Sequence, residues 1–421
     1  MQHNIPTTKL GPLGEEMAAA VSTCVHCGFC LAACPTYDVL GQEPDSPRGR
    51  IVLMKDVLEG TLSVDDASPH IDRCLGCLAC EPACPSGVPY RDLISPYRAT
   101  TEAKRKRTLI DRLSRAMTNA TLPYPSRFRL AARLGRFARP LAPLLPQSIA
   151  AMLKLLPDRL PPKQTWAAVN PAIGTRRARV ALLSGCAQSV LAPDINSATI
   201  DVLTRNGVEV VVPPKQTCCG ALSWHVGNLS QAQKFAVANL NAFPDDVDAI
   251  VTNAAGCGSG MHEYALILKG TEFEARAKAF VGKVKDVSVV LQELGELAPL
   301  PETRKPVRIA YHDACHLSNA QSVRSEPRSL LSLIPGVELL EIPDSHLCCG
   351  SAGTYNVDQP EIAKTLGEDK VRNVLSTTPD LVATGNIGCL TQLESHLLSA
   401  GSDVNVRHTI QILRDAYAGA L

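Results

Sequence analysis

Apolar positions fall into three kinds of pattern along the chain. Near the N-terminus Ile51, Met54, Val57 and Leu58 recur at helical spacing behind Ser46 and Pro47, a cap residue followed by a first-turn proline. A helix is therefore predicted from that point. A second helix is predicted from Glu15 to Val21. Beyond residue 178 the pattern changes to short apolar runs alternating with helical stretches. The runs are Arg179 to Cys186, Val208 to Val212 and Asp248 to Thr252, then Arg308 to Cys315, Val337 to Ile342 and Asp380 to Thr384. Such runs predict βαβ units and parallel sheets. The two sets match, which makes residues 180–298 and 307–421 two copies of one unit, joined by a charged linker around Pro299 to Pro306. The intervening segment, 101–179, mixes arginines with Phe and Leu and is rich in proline. Its longest apolar stretch, Pro140 to Pro157, is broken by prolines, Gln147, Ser148 and Lys154, so it does not read as a membrane span.

The sixteen cysteines sharpen this division, because each belongs to a patterned group. Cys24, Cys27, Cys30 and Cys34 precede Pro35, and the same spacing returns as Cys74, Cys77, Cys80 and Cys84 before Pro85. Three thiolates two residues apart wrap one side of a cubane iron–sulfur core, and a distant fourth closes the cage. In two-cluster ferredoxins that fourth ligand serves the other cluster. The expected sets are thus Cys24, Cys27, Cys30 and Cys84 for one 4Fe–4S cluster, and Cys74, Cys77, Cys80 and Cys34 for the other. Gly28 and Gly76 allow close approach of the backbone to sulfur. Zinc sites separate their cysteine pairs more widely, which argues against zinc here.

The remaining eight cysteines form two sets, Cys186, Cys218, Cys219 and Cys257, and Cys315, Cys348, Cys349 and Cys389, each containing a Cys-Cys-Gly. All lie just after predicted strands, where ligands of parallel sheets collect. Four thiolates per repeat suit either a further iron–sulfur cluster or zinc. His225, His312, His316 and His346 lie nearby, and His316 and His346 are favoured because they flank Cys315 and Cys348. The expected fold is α+β and multi-domain: a helical ferredoxin-type module with two 4Fe–4S sites (1–100), a basic, Pro-rich connector (101–179), and two α/β parallel-sheet Cys-Cys-Gly domains (180–298 and 307–421).

Gly256 to Gly260 lacks the spacing of a dinucleotide loop, and no P-loop, nucleophile elbow or flavin site is visible. No catalytic residue is assigned, and substrate oxidation is expected on another subunit. The N-terminus lacks the basic and apolar regions of a secretory signal, so reduced thiolates and a cytoplasmic location are expected. The net charge of +1 hides an asymmetry: residues 101–180 hold 17 Lys/Arg against 3 Asp/Glu, a local excess of 14. That basic segment, from Lys104 to Leu155, fits either docking on an acidic partner or peripheral contact with a membrane, with Phe128, Leu130, Leu134 and Phe137 inserting. Base-stacking aromatics are few, which excludes nucleic acid as the partner.

The Cys24–Tyr37 run, the Ser46–Ile51 run and the Asp344–Tyr355 run together resemble the iron–sulfur subunits of bacterial glycolate oxidase. Related plans occur in lactate-utilisation, anaerobic glycerol-3-phosphate dehydrogenase and heterodisulfide reductase-like proteins. The resemblance implies flavin-bearing partner subunits that oxidise glycolate to glyoxylate, or act on D-lactate. This chain would then pass electrons to a membrane acceptor such as quinone, at the inner face of the inner membrane. The fullest Cys-Cys-Gly motif has a fifth cysteine, and here Ala254 and Asn386 replace it. That departure argues against a five-thiolate cluster and disulfide-reducing chemistry.

Overall fold

A computed structural model describes residues 1–144 and 147–421; Leu145 and Pro146, within the proline-broken apolar stretch, lie outside the described residues. Five α-helices build the N-terminal block: Gly14–Thr23, Pro35–Leu40, Pro47–Glu59, Val64–Asp72 and Arg91–Thr101. Helix Pro47–Glu59 begins at the predicted cap. Ser46 Oγ accepts a hydrogen bond from the Gly49 amide at 3.0 Å, and Pro47 occupies the first turn, where a missing N–H costs nothing. Ile51, Met54 and Leu58 share a core with Met17, Val21, Leu93 and Tyr97 of the two flanking helices.

Among the described residues nine strands form two sheets: β1 (Val169–Asn170), β2 (Ala178–Leu182), β3 (Val208–Val211), β4 (Ala249–Thr252), β5 (Val284–Asp286), β6 (Val307–His312), β7 (Val337–Glu341), β8 (Leu381–Thr384) and β9 (Asn405–His408). Their orders are β1-β3-β2-β4-β5 and β7-β6-β8-β9, parallel throughout except for β1 against β3. Without β1 the two orders are the same. The repeat extends to single bonds: the Arg179 amide donates to Asp248 Oδ2 at 2.8 Å, and the Arg308 amide to Asp380 Oδ2 at 2.8 Å.

Alternation along β2 shows how the parts pack. Val180 and Leu182 point into a core shared with Ile309 and Tyr311 of the second repeat. Ala181 and Leu183 point the other way, into the core of the N-terminal block with Met17 and Leu93. The first sheet is thus covered on both faces, as parallel sheets require. Helices Asp194–Arg205 and Thr409–Tyr417 join the repeats, with Arg414 Nη1 2.6 Å from Asp194 Oδ1.

The connector forms helices Leu109–Thr121, Pro125–Ala138 and Gln147–Lys154. It departs from the sequence expectation in two ways. Phe128 is buried with Ala132, Leu153 and Val190, so it is not available to a membrane. Much of the basic charge is also engaged within the molecule. Arg105 clasps Asp72 through both terminal nitrogens (2.8 and 2.5 Å), Arg107 binds Glu102 at 2.7 Å, and Arg129 donates to the Pro161 carbonyl at 2.7 Å. Leu109, Ile110, Leu113, Met117, Leu130, Leu134 and Phe137 are exposed. Among the described residues no helix is long and apolar enough to cross a membrane.

Candidate metal centres

The two tight cysteine runs share one backbone path. In the first, His26 and Gly28 have φ of 59° and 87°; in the second, the equivalent Gly76 and Leu78 have 65° and 58°. Matching turn bonds follow, Leu31 and Cys34 amides to Gly28 and Leu31 carbonyls, and Glu81 and Cys84 amides to Leu78 and Glu81 carbonyls. These bends turn three sulfurs of each run toward one point. Each run places a glycine at one left-handed position and tolerates a side chain at the other, at roughly 1–2 kcal/mol of strain.

Two cavities result. Cys24, Cys27, Cys30 and Cys84 line one, with Arg48 at its rim. Cys34, Cys74, Cys77 and Cys80 line the other, with Arg50 beneath them. The fourth cysteine of each run therefore faces the other run's three, and Cys80 and Tyr90 line both cavities. Burial pushes the Cys30 thiol up to about 11, and the Cys77 and Cys80 thiols well above their ordinary value. Burial also opposes ionisation of Cys74, but Arg50 and Arg98 outweigh it, and its thiol is shifted down. Thiols so buried ionise when a metal replaces the proton. Four sulfurs around each cavity, with N–H donors and guanidinium groups nearby, fit an anionic iron–sulfur cage.

Sequence reasoning missed the arginines. Arg50 is fully buried, donating to the His70 carbonyl at 2.8 Å, lying 3.4 Å from Asp45 and 3.8 Å from Cys34 Sγ. Burial works against its charge, and Cys74, Tyr90, Cys34 and Asp45 more than offset that. Arg98 donates to the Ile71 and Cys74 carbonyls at 2.8 and 2.7 Å and to the His225 carbonyl at 3.1 Å, tying the second run to the first repeat. The available signal was an arginine inside a helix whose other inward residues are apolar.

The remaining cysteines gather beyond the carboxyl ends of β2, β3 and β4, and of β6, β7 and β8. In the first repeat Cys186 Sγ and Cys218 Sγ are 3.4 Å apart, and Cys219 lies between Cys218 and Cys257. Contacts from those two thiols, the Ala221 amide and His225 hold Cys219 well below the usual thiol range. In the second repeat Cys315 Sγ and Cys348 Sγ are 3.9 Å apart, and Cys349 bridges Cys348 and Cys389. All four of these are buried. Ala254 and Asn386 occupy equivalent cap positions at the start of helices Ala255–His262 and Ile387–Ser399. Asn386 Nδ2 donates to Cys389 Sγ at 3.5 Å.

The histidines rank differently from the sequence expectation. His346 is exposed, and His316 Nε2 lies 3.0 Å from the Gly76 carbonyl. His225 Nε2 lies 3.0 Å from Glu263 Oε2. His312 stands beside two thiols: a ring nitrogen, Cys349 Sγ and Cys389 Sγ all lie within 4.8 Å of one another. Burial pushes its imidazole down to about 3, so the ring is neutral. The glycines around Cys257 serve packing, since a Cβ on Gly258 would sit 2.5 Å from Gln321 Oε1 and one on Gly260 2.3 Å from Ala221 Cβ.

The sites adjoin one another. Leu75 and Cys77 pack with Cys315, Cys348 and Tyr355, and Asn319 Nδ2 donates to the Cys77 carbonyl at 3.1 Å. Asn386 Oδ1 accepts from the Gly256 amide at 3.4 Å, joining the two repeats' cysteine loops.

Residues 20–88 match the 4Fe-4S dicluster domain family, and residues 180–262 and 309–394 each match the cysteine-rich domain family named for its Cys-Cys-Gly. The glycolate oxidase iron–sulfur subunit of Escherichia coli K12 is 38% identical over 407 residues, covering 95% of each chain. The chain belongs to this family of glycolate oxidase iron–sulfur subunits. A probable glycolate oxidase iron–sulfur subunit of Bacillus subtilis 168 is 38% identical over 93% of each chain. Lactate utilization protein A of Oceanobacillus iheyensis is 29% identical over 244 residues, 58% of this chain and 99% of that one. The chain is thus an iron–sulfur protein of helical plus parallel-sheet α/β construction.

Proposed function

We propose that the chain is the electron-transfer subunit of a glycolate-oxidising complex. It would receive electrons from flavin-bearing partner subunits that convert glycolate to glyoxylate and deliver them to a membrane acceptor such as quinone. Cys24, Cys27, Cys30 and Cys84 would hold one 4Fe–4S cluster, and Cys34, Cys74, Cys77 and Cys80 the other; such clusters supply one-electron transfer when bound. The Cys-Cys-Gly sets Cys186, Cys218, Cys219, Cys257 and Cys315, Cys348, Cys349, Cys389 would each hold metal. The observation that carries this reading is contiguity: the first cavity shares Cys80 with the second, and Cys77 of the second packs against Cys315 and Cys348. Similarity to glycolate oxidase subunits along nearly the whole chain favours glycolate over lactate, for which the match is partial.

Replacing Cys77 by Ser in the assembled complex tests the relay. Glycolate-dependent flavin reduction in the partner subunits is expected to persist while quinone reduction falls by at least about 100-fold. Unchanged quinone reduction would remove the second cavity from the path. Iron content and EPR of the same sample report whether the first site stays filled.

A further inference from the structure

The two Cys-Cys-Gly sites differ in one residue that the strand geometry does not require. His312 ends β6 three residues before Cys315, and Leu183 stands three residues before Cys186. Both are buried, and the first repeat builds the same strand end with an apolar side chain. A histidine there has no packing role that leucine does not fill. His312 is 1% exposed, and neither ring nitrogen has a hydrogen-bond partner among the described residues. An imidazole buried in that state loses its hydration without compensation, which native proteins rarely tolerate. One nitrogen nonetheless lies within 4.8 Å of both Cys349 Sγ and Cys389 Sγ. Donors sharing one tetrahedral ion are separated by about 3.5–3.8 Å, from metal–nitrogen and metal–sulfur bonds of roughly 2.0 and 2.3 Å. A small adjustment places all three around one metal.

We propose that His312 is a metal ligand, making the second Cys-Cys-Gly site a mixed imidazole–thiolate centre while the first is thiolate only. This rests on the reading that the second site holds metal. The ligated atom is zinc or one iron of a cluster, since both accept imidazole beside thiolate. Imidazole is neutral, so where His312 takes the place of one of the four thiolates on the metal the centre carries one negative charge fewer than a four-thiolate site. In an iron cluster that substitution raises the reduction potential. Asn386 acts in the same direction by donating to Cys389 Sγ at 3.5 Å.

The test uses the full chain purified without oxygen, as wild type, His312→Leu and His312→Cys. Zinc and iron are counted per chain, nitrogen coupling to the reduced clusters is read by electron–nuclear double resonance, and zinc ligation by X-ray absorption. Wild type is expected to show imidazole nitrogen bound directly to iron or zinc. His312→Leu, which copies the first repeat, is expected to lose that nitrogen signal and to leave thiolates alone around the second site, while keeping both ferredoxin-type EPR signals. His312→Cys should keep the metal without the nitrogen. Wild type with metal in the second site but no bound imidazole overturns the ligand assignment alone. Wild type with no metal beyond the two ferredoxin-type clusters overturns the underlying reading as well. Should His312→Leu fail to fold, the wild-type and His312→Cys spectra decide the matter.

Discussion

Arg50 shows how much of a cluster site rests on residues other than cysteine. It carries a full charge into the core, faces Asp45 and reaches toward Cys34. Removing one partner of a buried ion pair costs about 3–5 kcal/mol. Arg50→Met is expected near the lower end, about 3 kcal/mol, because Arg73 still lies 3.1 Å from Asp45. Loss of a cation beside the thiolates should also lower the potential of the neighbouring cluster. Denaturant melts and an EPR-monitored redox titration of the anaerobic protein check both effects, and an unchanged pair of values would refute this role. The cysteines were legible because their spacing is itself chemical. Arg50 was not, and His312 stood only as one of four histidines near the cysteines, because spacing does not say what the fold brings opposite a residue. Their roles arise from what the fold brings opposite them, Cys34 and Asp45 in one case and Cys349 and Cys389 in the other.

At the level of elements, the sequence located three strands of each repeat from short runs rich in Val, Ile and Leu, including β7, an edge strand whose residues are half-buried or exposed. It missed β5 and β9, at Val284–Asp286 and Asn405–His408, which are short and interrupted by charged residues. It read the connector arginines as facing either an acidic partner or a membrane; Arg105 binds Asp72 of the N-terminal block, and Arg107 binds Glu102 within the connector. The connector helices leave apolar side chains facing outward, which allows the membrane alternative to be tested. Leu113 and Phe137 are 64% and 84% exposed on helices Leu109–Thr121 and Pro125–Ala138. Burying each in a bilayer would contribute about 1.5–3 kcal/mol. Leu113→Asp with Phe137→Asp is therefore expected to reduce flotation with anionic vesicles by at least about 100-fold, with cluster spectra unchanged. Equal flotation of variant and wild type would exclude these helices as a membrane contact.

In the whole molecule, the cavity lined by Cys34, Cys74, Cys77 and Cys80 is roofed by the second repeat. Tyr355 Oη donates to the Arg73 carbonyl at 2.8 Å, and Cys315 and Cys348 close over Cys77. The neighbouring cavity keeps a ligand at the surface, for Cys27 is exposed beside Val25 and Phe29, at 66% and 68%. This roof has a consequence for biogenesis. A scaffold protein delivering a preformed cage would reach the exposed Cys27 on the finished chain more readily than the half-buried Cys77 under the second repeat. On the proposed ligand assignment, maturation is expected to be ordered, with the inner cage installed before the second repeat docks and the outer one replaceable afterwards. After brief air exposure, incubation with ferrous iron, sulfide and reductant should restore the outer cluster's EPR signal within minutes, and the inner one only after partial unfolding. Equal recovery of the two signals would show that the roof opens freely.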